Sequence, residues 1–227
     1  MNDHRHVLRL AAGALLALLL AACAPAPLLI RPTTPADEAL QQQRSAALQR
    51  LPDWHASGEL GVSDGQHGGS GSFDWQHDGT AIDFTLRAPI TGRGFRLRSD
   101  AAGACLYGLH AQPVCAADAA LLLRTQLGWE LPLQALRDWV LGLAAPGSAA
   151  QLQFGADGLP AQLTQQGWVV QYRSWHRDAQ PVPLPALIVA SRAPYAVRLY
   201  VRHWQMPAPA ASARANPPVP APASSAP

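Results

Sequence analysis

The three cysteines of this 227-residue chain carry its most reactive side chains, and their positions separate their chemistry. Cys23 follows Leu20-Ala21-Ala22 and closes an uncharged apolar run that begins at Leu10, after Arg5 and Arg9. A basic start, a short apolar segment and small residues before a cut describe a secretory signal peptide. At about 13 residues the run is too short to cross a hydrocarbon core of about 30 Å as a helix. Leu-Ala-Ala-Cys resembles the bacterial lipobox, in which the cysteine thiol takes diacylglycerol, the signal (residues 1–22) is removed, and the new amine is acylated. The alternative is an ordinary signal that ends on a chance cysteine. One acyl chain attaches only marginally, at about 0.8 kcal/mol per buried methylene, whereas three make release negligible. An aspartate after the cysteine resembles an inner-membrane retention signal. Ala24 stands there instead, which favours export to the outer membrane.

Cys105 and Cys115 flank Leu-Tyr-Gly-Leu-His-Ala-Gln-Pro-Val. A hairpin turn centred on His110 sets them opposite each other, where side chains of non-hydrogen-bonded antiparallel pairs are close and a disulfide can form. An exported, oxidising setting favours closure; the alternative is two small, half-buried thiols. Neither has a second Cys or His at metal-ligand spacing, and no metal is expected. Beyond the signal, His55, His67, His77, His110, His176 and His203 also lack such spacing, most of them in expected turns or on wet strand faces. Gly69-Ser70-Gly71 looks like part of a nucleophile motif, yet no strand-to-helix elbow follows it. All 17 basic residues are arginine, which excludes a phosphate-loop lysine, a Schiff-base lysine and a lysine general base. No nucleotide motif is present and no cofactor is implied. A net charge of +2 is too small for a nucleic-acid reader, whose basic residues cluster. No catalytic residue is assigned, and an enzyme is not expected.

Around these residues the chain alternates. Phe73 and Trp75 face one way and Asp74 and Gln76 the other; Ile82, Phe84 and Leu86 oppose Asp83, Thr85 and Arg87. The segments 94–98 and 196–204 repeat the pattern. Period two marks antiparallel strands with one apolar and one wet face, and Gly-rich breaks supply the turns. Further strands are expected at about 54–63, 102–107, 112–115, 150–154, 160–166, 167–175 and 186–192, about eleven in all. Three segments depart from alternation. Residues 36–50 form a weakly amphipathic helix. Asp118 caps a second helix that Gly128 stops. Pro132 opens a third at its first helical position, with Leu133, Leu136, Trp139 and Val140 on a single stripe. One large sheet and three short helices bury each other's apolar sides most simply if the sheet curls around the helices. The expected class is α+β, an incomplete antiparallel half-barrel with a helical lid. The Pro- and Ala-rich segment 23–35 reads as a flexible tether, 36–206 as the folded domain, and 207–227 as a disordered tail.

At this point four segments become specific: Gly71-Ser-Phe-Asp-Trp75, Gly128-Trp-Glu-Leu-Pro through Leu143, the Gly167-Trp168 opening of a strand ending in Tyr172, and Leu184-Pro185. Their order and spacing from about Leu40 to Trp204, behind a lipobox, resemble the outer-membrane lipoprotein receptor family LolB. The resemblance implies an incomplete barrel closed by helices around an apolar cavity. It implies a receptor, lipid-anchored in the outer membrane and facing the periplasm, that accepts triacylated lipoproteins from a LolA-like soluble carrier. The receptor would insert them into the inner leaflet of that membrane. It also implies an insertion device, a protruding loop with an apolar residue after a proline. Pro89, Ile90, Thr91 and Gly92 match it here, with Ile90 in the place of the family's leucine; Arg93 is a departure from the family pattern. The alternative for Ile90 is an ordinary hairpin residue that packs inward. The tail after Met206 has no counterpart in the family pattern.

The expected cavity surface is Phe73, Trp75, Phe84, Leu86, Phe95 and Leu97 on the sheet, with Leu133, Leu136, Trp139 and Val140 as the lid. For each, the alternative is a dry core contact. Gly128, Pro132, Gly142 and Pro146 are candidate hinges. The expected protein is a monomer. Another lipid- or glycolipid-binding envelope lipoprotein, or an envelope-stress sensor on a similar half-barrel, is the competing function, since one fold serves many.

Overall fold

A computed structural model describes residues 28–207, apart from Pro52, Ile90, Thr91, Arg93 and Gln180. The signal segment, Cys23 and the tail after Pro207 therefore lie outside the described residues. Eleven strands form a single antiparallel sheet within them. They are β1 (Trp54–Ser63), β2 (Gly68–Asp78), β3 (Ala81–Arg87), β4 (Gly94–Asp100), β5 (Gly103–Tyr107), β6 (Val114–Ala116), β7 (Ala150–Phe154), β8 (Pro160–Gln165), β9 (Trp168–His176), β10 (Leu184–Arg192) and β11 (Tyr195–Gln205). The order is β6-β5-β4-β3-β2-β1-β11-β10-β9-β8-β7, so the sheet is not closed and β6 and β7 are its edges. The helices are α1 (Pro35–Gln49), α2 (Ala119–Leu127) and α3 (Leu133–Val140). This is the half-barrel with three helices that the alternation and the resemblance imply.

The topology explains the lid. β6 and β7 follow one another in sequence but sit at opposite edges, so residues 117–149 must travel from one edge to the other. That crossing carries α2 and α3. Their apolar sides, with Leu122, Leu123, Ala135, Trp139 and Val140 buried, join the same core as the inward-facing strand residues. A sheet of this many strands coils because each neighbour is rotated by roughly −20 to −25°, and burial of one apolar face favours coiling around the helices. At the Ser57/Gly58 bulge between β1 and β11 the backbones approach so closely that a Cβ on Gly58 would strike the Tyr200 carbonyl.

Local chemistry sets the helix ends. At α1, Thr34 Oγ1 accepts from the Asp37 amide at 3.4 Å and Asp37 Oδ2 accepts from the Thr34 amide at 2.9 Å, a reciprocal capping box. Asp118 Oδ1 accepts from the Leu121 amide at 2.7 Å, and Gly128 leaves α2 in the left-handed region at φ 71°. Pro132, expected at the first helical position of α3, stands instead at its N-cap and makes no side-chain hydrogen bond. The helix starts one residue later because Pro132 has ψ 78°, outside the helical range. Cys105 and Cys115 pair across β5 and β6 with Cα atoms 4.1 Å apart and are joined by a disulfide.

Within the segment 23–35, expected as a flexible tether, Arg31 has fixed partners. Arg31 bridges to Phe154 on the edge strand β7, its amide donating to the Phe154 carbonyl at 3.1 Å. Its guanidinium grips Asp37 through both nitrogens, at 2.7 and 2.5 Å. A main-chain rung and a bidentate ion pair fix the chain from Arg31 onward.

Candidate functional site

The concave face of the sheet and the undersides of α2 and α3 enclose a cavity of about 90 Å³. Its wall is apolar throughout. From the sheet come Leu60, Val62, Trp75, Ile82, Phe84, Phe95, Leu97, Val170, Ile188, Ala190, Val197 and Leu199; from the crossing come Leu123, Trp129, Leu131, Leu133, Leu136, Trp139 and Val140. Eight of the ten residues expected in this wall are there. Phe73 and Leu86 are not. Both are buried, but they face each other one rung nearer the Pro89 loop, where Phe73 stacks on Phe84 at 6.3 Å. They support the aromatic wall from outside the cavity. The wall residues on β1, β9, β10 and β11 had a sequence signal, since each lies on the apolar parity of its strand.

Burial around the cavity is uneven. On the β8–β9 side Leu163, Trp168 and Val170 are fully buried. On the opposite side Ile82, Phe84, Trp129, Leu131, Leu133 and Leu136 are only half-buried, so the mouth lies between β3 and the 129–136 segment.

Three buried polar side chains hold the C-terminal end of α3, beside the half-buried Gln41, whose Nε2 donates to the Gly142 carbonyl at 3.0 Å. Gln165 is 2 % exposed. Its Oε1 accepts from Trp139 Nε1 at 2.8 Å and from the Ala145 amide at 2.9 Å, while its Nε2 donates to the Ala145 carbonyl at 2.7 Å. The Tyr172 hydroxyl donates to the Trp139 carbonyl at 3.0 Å; burial pushes its pKa upward. Arg44, on α1, donates to the Gly142 carbonyl at 3.1 Å, to the Leu141 carbonyl, and to the Pro183 carbonyl at 3.1 Å. Its guanidinium also lies 4.8 Å from the Trp175 ring centroid. Burial lowers its pKa to about 10, so it stays cationic, and a cation at a helix C-terminus complements the helix dipole. Sequence reasoning missed all three. The available signal was parity: Gln165 shares the inward positions of Ala161 and Leu163, and Arg44 stands four residues before the buried Leu48.

At the other end of α3 a second, polar cleft of about 460 Å³ runs between residues 132–137, the β2–β3 turn and the start of α2. His77 lines it and is 3 % exposed, on the inward parity of β2 rather than on a wet face. Burial, and then the charge of Arg137, lower its pKa. Neighbouring Asp138 is shifted upward by burial.

Of the insertion-loop residues, Ile90 and Thr91 lie outside the described residues, as does Arg93. Pro89 and Gly92 are exposed, and the Gly92 amide closes the turn on the Ala88 carbonyl at 3.1 Å. No helix among the described residues is long and apolar enough to cross a membrane.

Comparison with known proteins gives a consistent result. The family model described as "Outer membrane lipoprotein LolB" matches residues 52–204. The outer-membrane lipoprotein LolB of Xanthomonas campestris pv. campestris is 32% identical over 185 residues, covering 80% of this chain and 85% of the relative. That of Alkalilimnicola ehrlichii is 33% identical over 201 residues, covering 87% and 97%. Among solved structures, a DUF1329 family protein from Desulfovibrio piger superposes with a TM-score of 0.49 at 8% identity, over 76% of this chain and 92% of that one. Nothing about function carries over at that distance.

Proposed function

Because the chain belongs to the LolB family of outer-membrane lipoproteins, we propose how it works as the receptor for lipoproteins at that membrane. It is lipid-anchored, through Cys23 in this reading, and faces the periplasm. It accepts triacylated lipoproteins from a LolA-like carrier, shelters their acyl chains under α2 and α3, and passes them to the inner leaflet without catalysis, as a monomer.

The observation that carries this reading is an interior wall of nineteen residues, every one apolar, beneath a crossing whose last helix, α3, has polar anchors at its C-terminal end and no side-chain cap at its N-terminal end. Exposing an acyl chain to water costs about 0.8 kcal/mol per methylene, so transfer needs a continuous apolar route. Direction needs only a gradient, with affinity above the carrier's and below the bilayer's, and each 1.4 kcal/mol along it shifts the equilibrium tenfold. A cavity of about 90 Å³ is smaller than the roughly 150 Å³ void that admits a benzene. Acyl chains therefore enter only when the lid lifts. The half-buried residues at the mouth are the ones that then meet the ligand first. Ile90, after Pro89 in the sequence between β3 and β4, probes the bilayer during release.

Depletion of the protein tests the receptor reading: lipoproteins should accumulate on the periplasmic carrier, and an unchanged carrier rejects it. Ile90→Glu should leave uptake of an apolar fluorescent probe intact and stop membrane insertion of cargo; insertion at the normal rate removes Ile90 from the device. A Cys23→Ala protein with a working signal should be recovered in the soluble periplasmic fraction, and tight membrane association would relocate the anchor.

A further inference from the structure

Two of the large apolar side chains among the described residues stand out for exposure, Leu29 at 75% and Leu40 at 55%, and they do not lie apart. Ile30, 40% exposed, links Leu29 to Arg31. Arg31 is pinned to the β7 edge through the Phe154 rung and to α1 through Asp37. Leu40 lies one turn along α1 from Asp37, and Leu40 Cδ1 and Arg31 Nη2 both come within 4.0 Å of the position a Cβ would take on Gly158. Arg31 and Leu40 thus share one corner of the domain, and Leu29 and Ile30 are the exposed residues that lead into it.

Isolated exposed leucines are ordinary on soluble domains, so the meaning of this corner rests on what lies next to it. Four residues separate Leu28 from Cys23, and the five steps between them span at most roughly 18 Å when fully extended. If Cys23 is embedded by its acyl chains, Leu28 cannot stand further than that from the membrane surface. The pinning at Arg31 passes the restriction to α1 and β7.

We propose that Leu29, Ile30 and Leu40 form a foot that rests in the headgroup–acyl boundary of the bilayer holding the Cys23 lipid. The occupant is lipid, because the leash keeps this corner within about 18 Å of the bilayer at all times and so makes that surface its nearest apolar partner. The corner has the chemistry of an interfacial contact, with apolar side chains bordered by a cationic one (Arg31) that suits phosphate headgroups. The domain is then seated rather than floating, with its orientation fixed by the α1–β7 corner. The proposal rests on the reading of Cys23 as the anchor.

The test uses the full acylated chain in vesicles of phosphatidylethanolamine and phosphatidylglycerol, with a nitroxide on Leu40→Cys or, as a reference on the wet face of β11, on Arg198→Cys. At position 40, relaxation by lipid-dissolved oxygen should exceed relaxation by an aqueous nickel chelate several-fold, with the reverse at 198. The double variant Leu29→Glu/Ile30→Glu, which touches only exposed positions, should return the label at 40 to aqueous behaviour. Equal aqueous exposure at 40 and 198 overturns the foot, and so does a label at 40 shielded from both relaxers, the mark of a protein contact. Mass analysis of the N-terminal peptide reads the anchor independently. An unmodified Cys23 removes the anchor and the foot together; an acylated Cys23 with an aqueous position 40 removes the foot alone.

Discussion

At the C-terminal end of α3 a guanidinium, a phenol and a carboxamide converge on the Leu141, Gly142, Trp139 and Ala145 backbone. At its N-terminal end Pro132 caps nothing and faces a polar cleft. The same helix is held at one end by buried, directional bonds and at the other mainly by apolar contacts of Leu133, Ala135 and Leu136, with the Arg192–Glu130 pair at 3.6 Å on the surface before it. Hydrogen bonds in a low dielectric are costly to break, whereas apolar contacts at a mouth can be exchanged for a ligand's own methylenes at little net cost. The difference predicts that α3 opens from its N-terminal end about its C-terminal end as pivot. Local opening is expected where buried contacts are few.

The largest effect breaks the pivot. Gln165→Leu strands the Trp139 indole N–H and the Ala145 amide and carbonyl; unpaired buried polar groups cost about 1–3 kcal/mol each, so a loss of about 3 kcal/mol is expected. For a domain of this size that lowers Tm by about 6–12 °C in thermal denaturation. Arg44→Met keeps the bulk but frees the Leu141 and Pro183 carbonyls and leaves Gly142 to Gln41 alone, with a loss of about 2 kcal/mol. Amide exchange over 139–145 should quicken more than over α2; uniform quickening would mean that Arg44 stabilises the whole fold and not the pivot.

The other two changes act on the swinging end. Pro132→Ser supplies a capping hydroxyl to α3 and should stabilise it by about 1 kcal/mol. Uptake of an apolar fluorescent probe should slow, and unchanged uptake would place the opening elsewhere. The smallest effect is one of pH. Burial lowers the His77 pKa in the folded state, so between that value and the ordinary one of about 6.5 the unfolded chain binds the extra proton. Stability is then full above about pH 6.5 and declines as the pH falls through the folded pKa. The slope of Tm against pH between 7.5 and 5 should be shallower in His77→Phe, and an identical slope would clear His77 of the effect.

The parity of residues such as Phe84 and Leu97 was enough to place the strands, and the stripe of Leu133, Leu136, Trp139 and Val140 to place the lid. Those patterns are local and one side chain wide. The pivot was not legible because Gln165 and Arg44 are polar residues on apolar parity, and their value depends on carbonyls brought from 20 and about 100 residues away. Phe73 and Leu86 have the correct parity yet miss the cavity, because alternation decides the face of a strand and not the rung at which a void begins. The fixing of Arg31 depended on a partner, Phe154, on a strand edge whose exposure only the sheet order reveals.

The bond between Cys105 and Cys115 makes the outermost rung of the sheet covalent. Thiols stay reduced in the cytosol and are oxidised beyond it, so this rung can be completed only after export. Until then only three residue pairs hold the border strand to β5, and its departure would lay the β5 edge open to edge-to-edge pairing. The short border strand is therefore clamped to its neighbour only in the compartment where the protein is to remain.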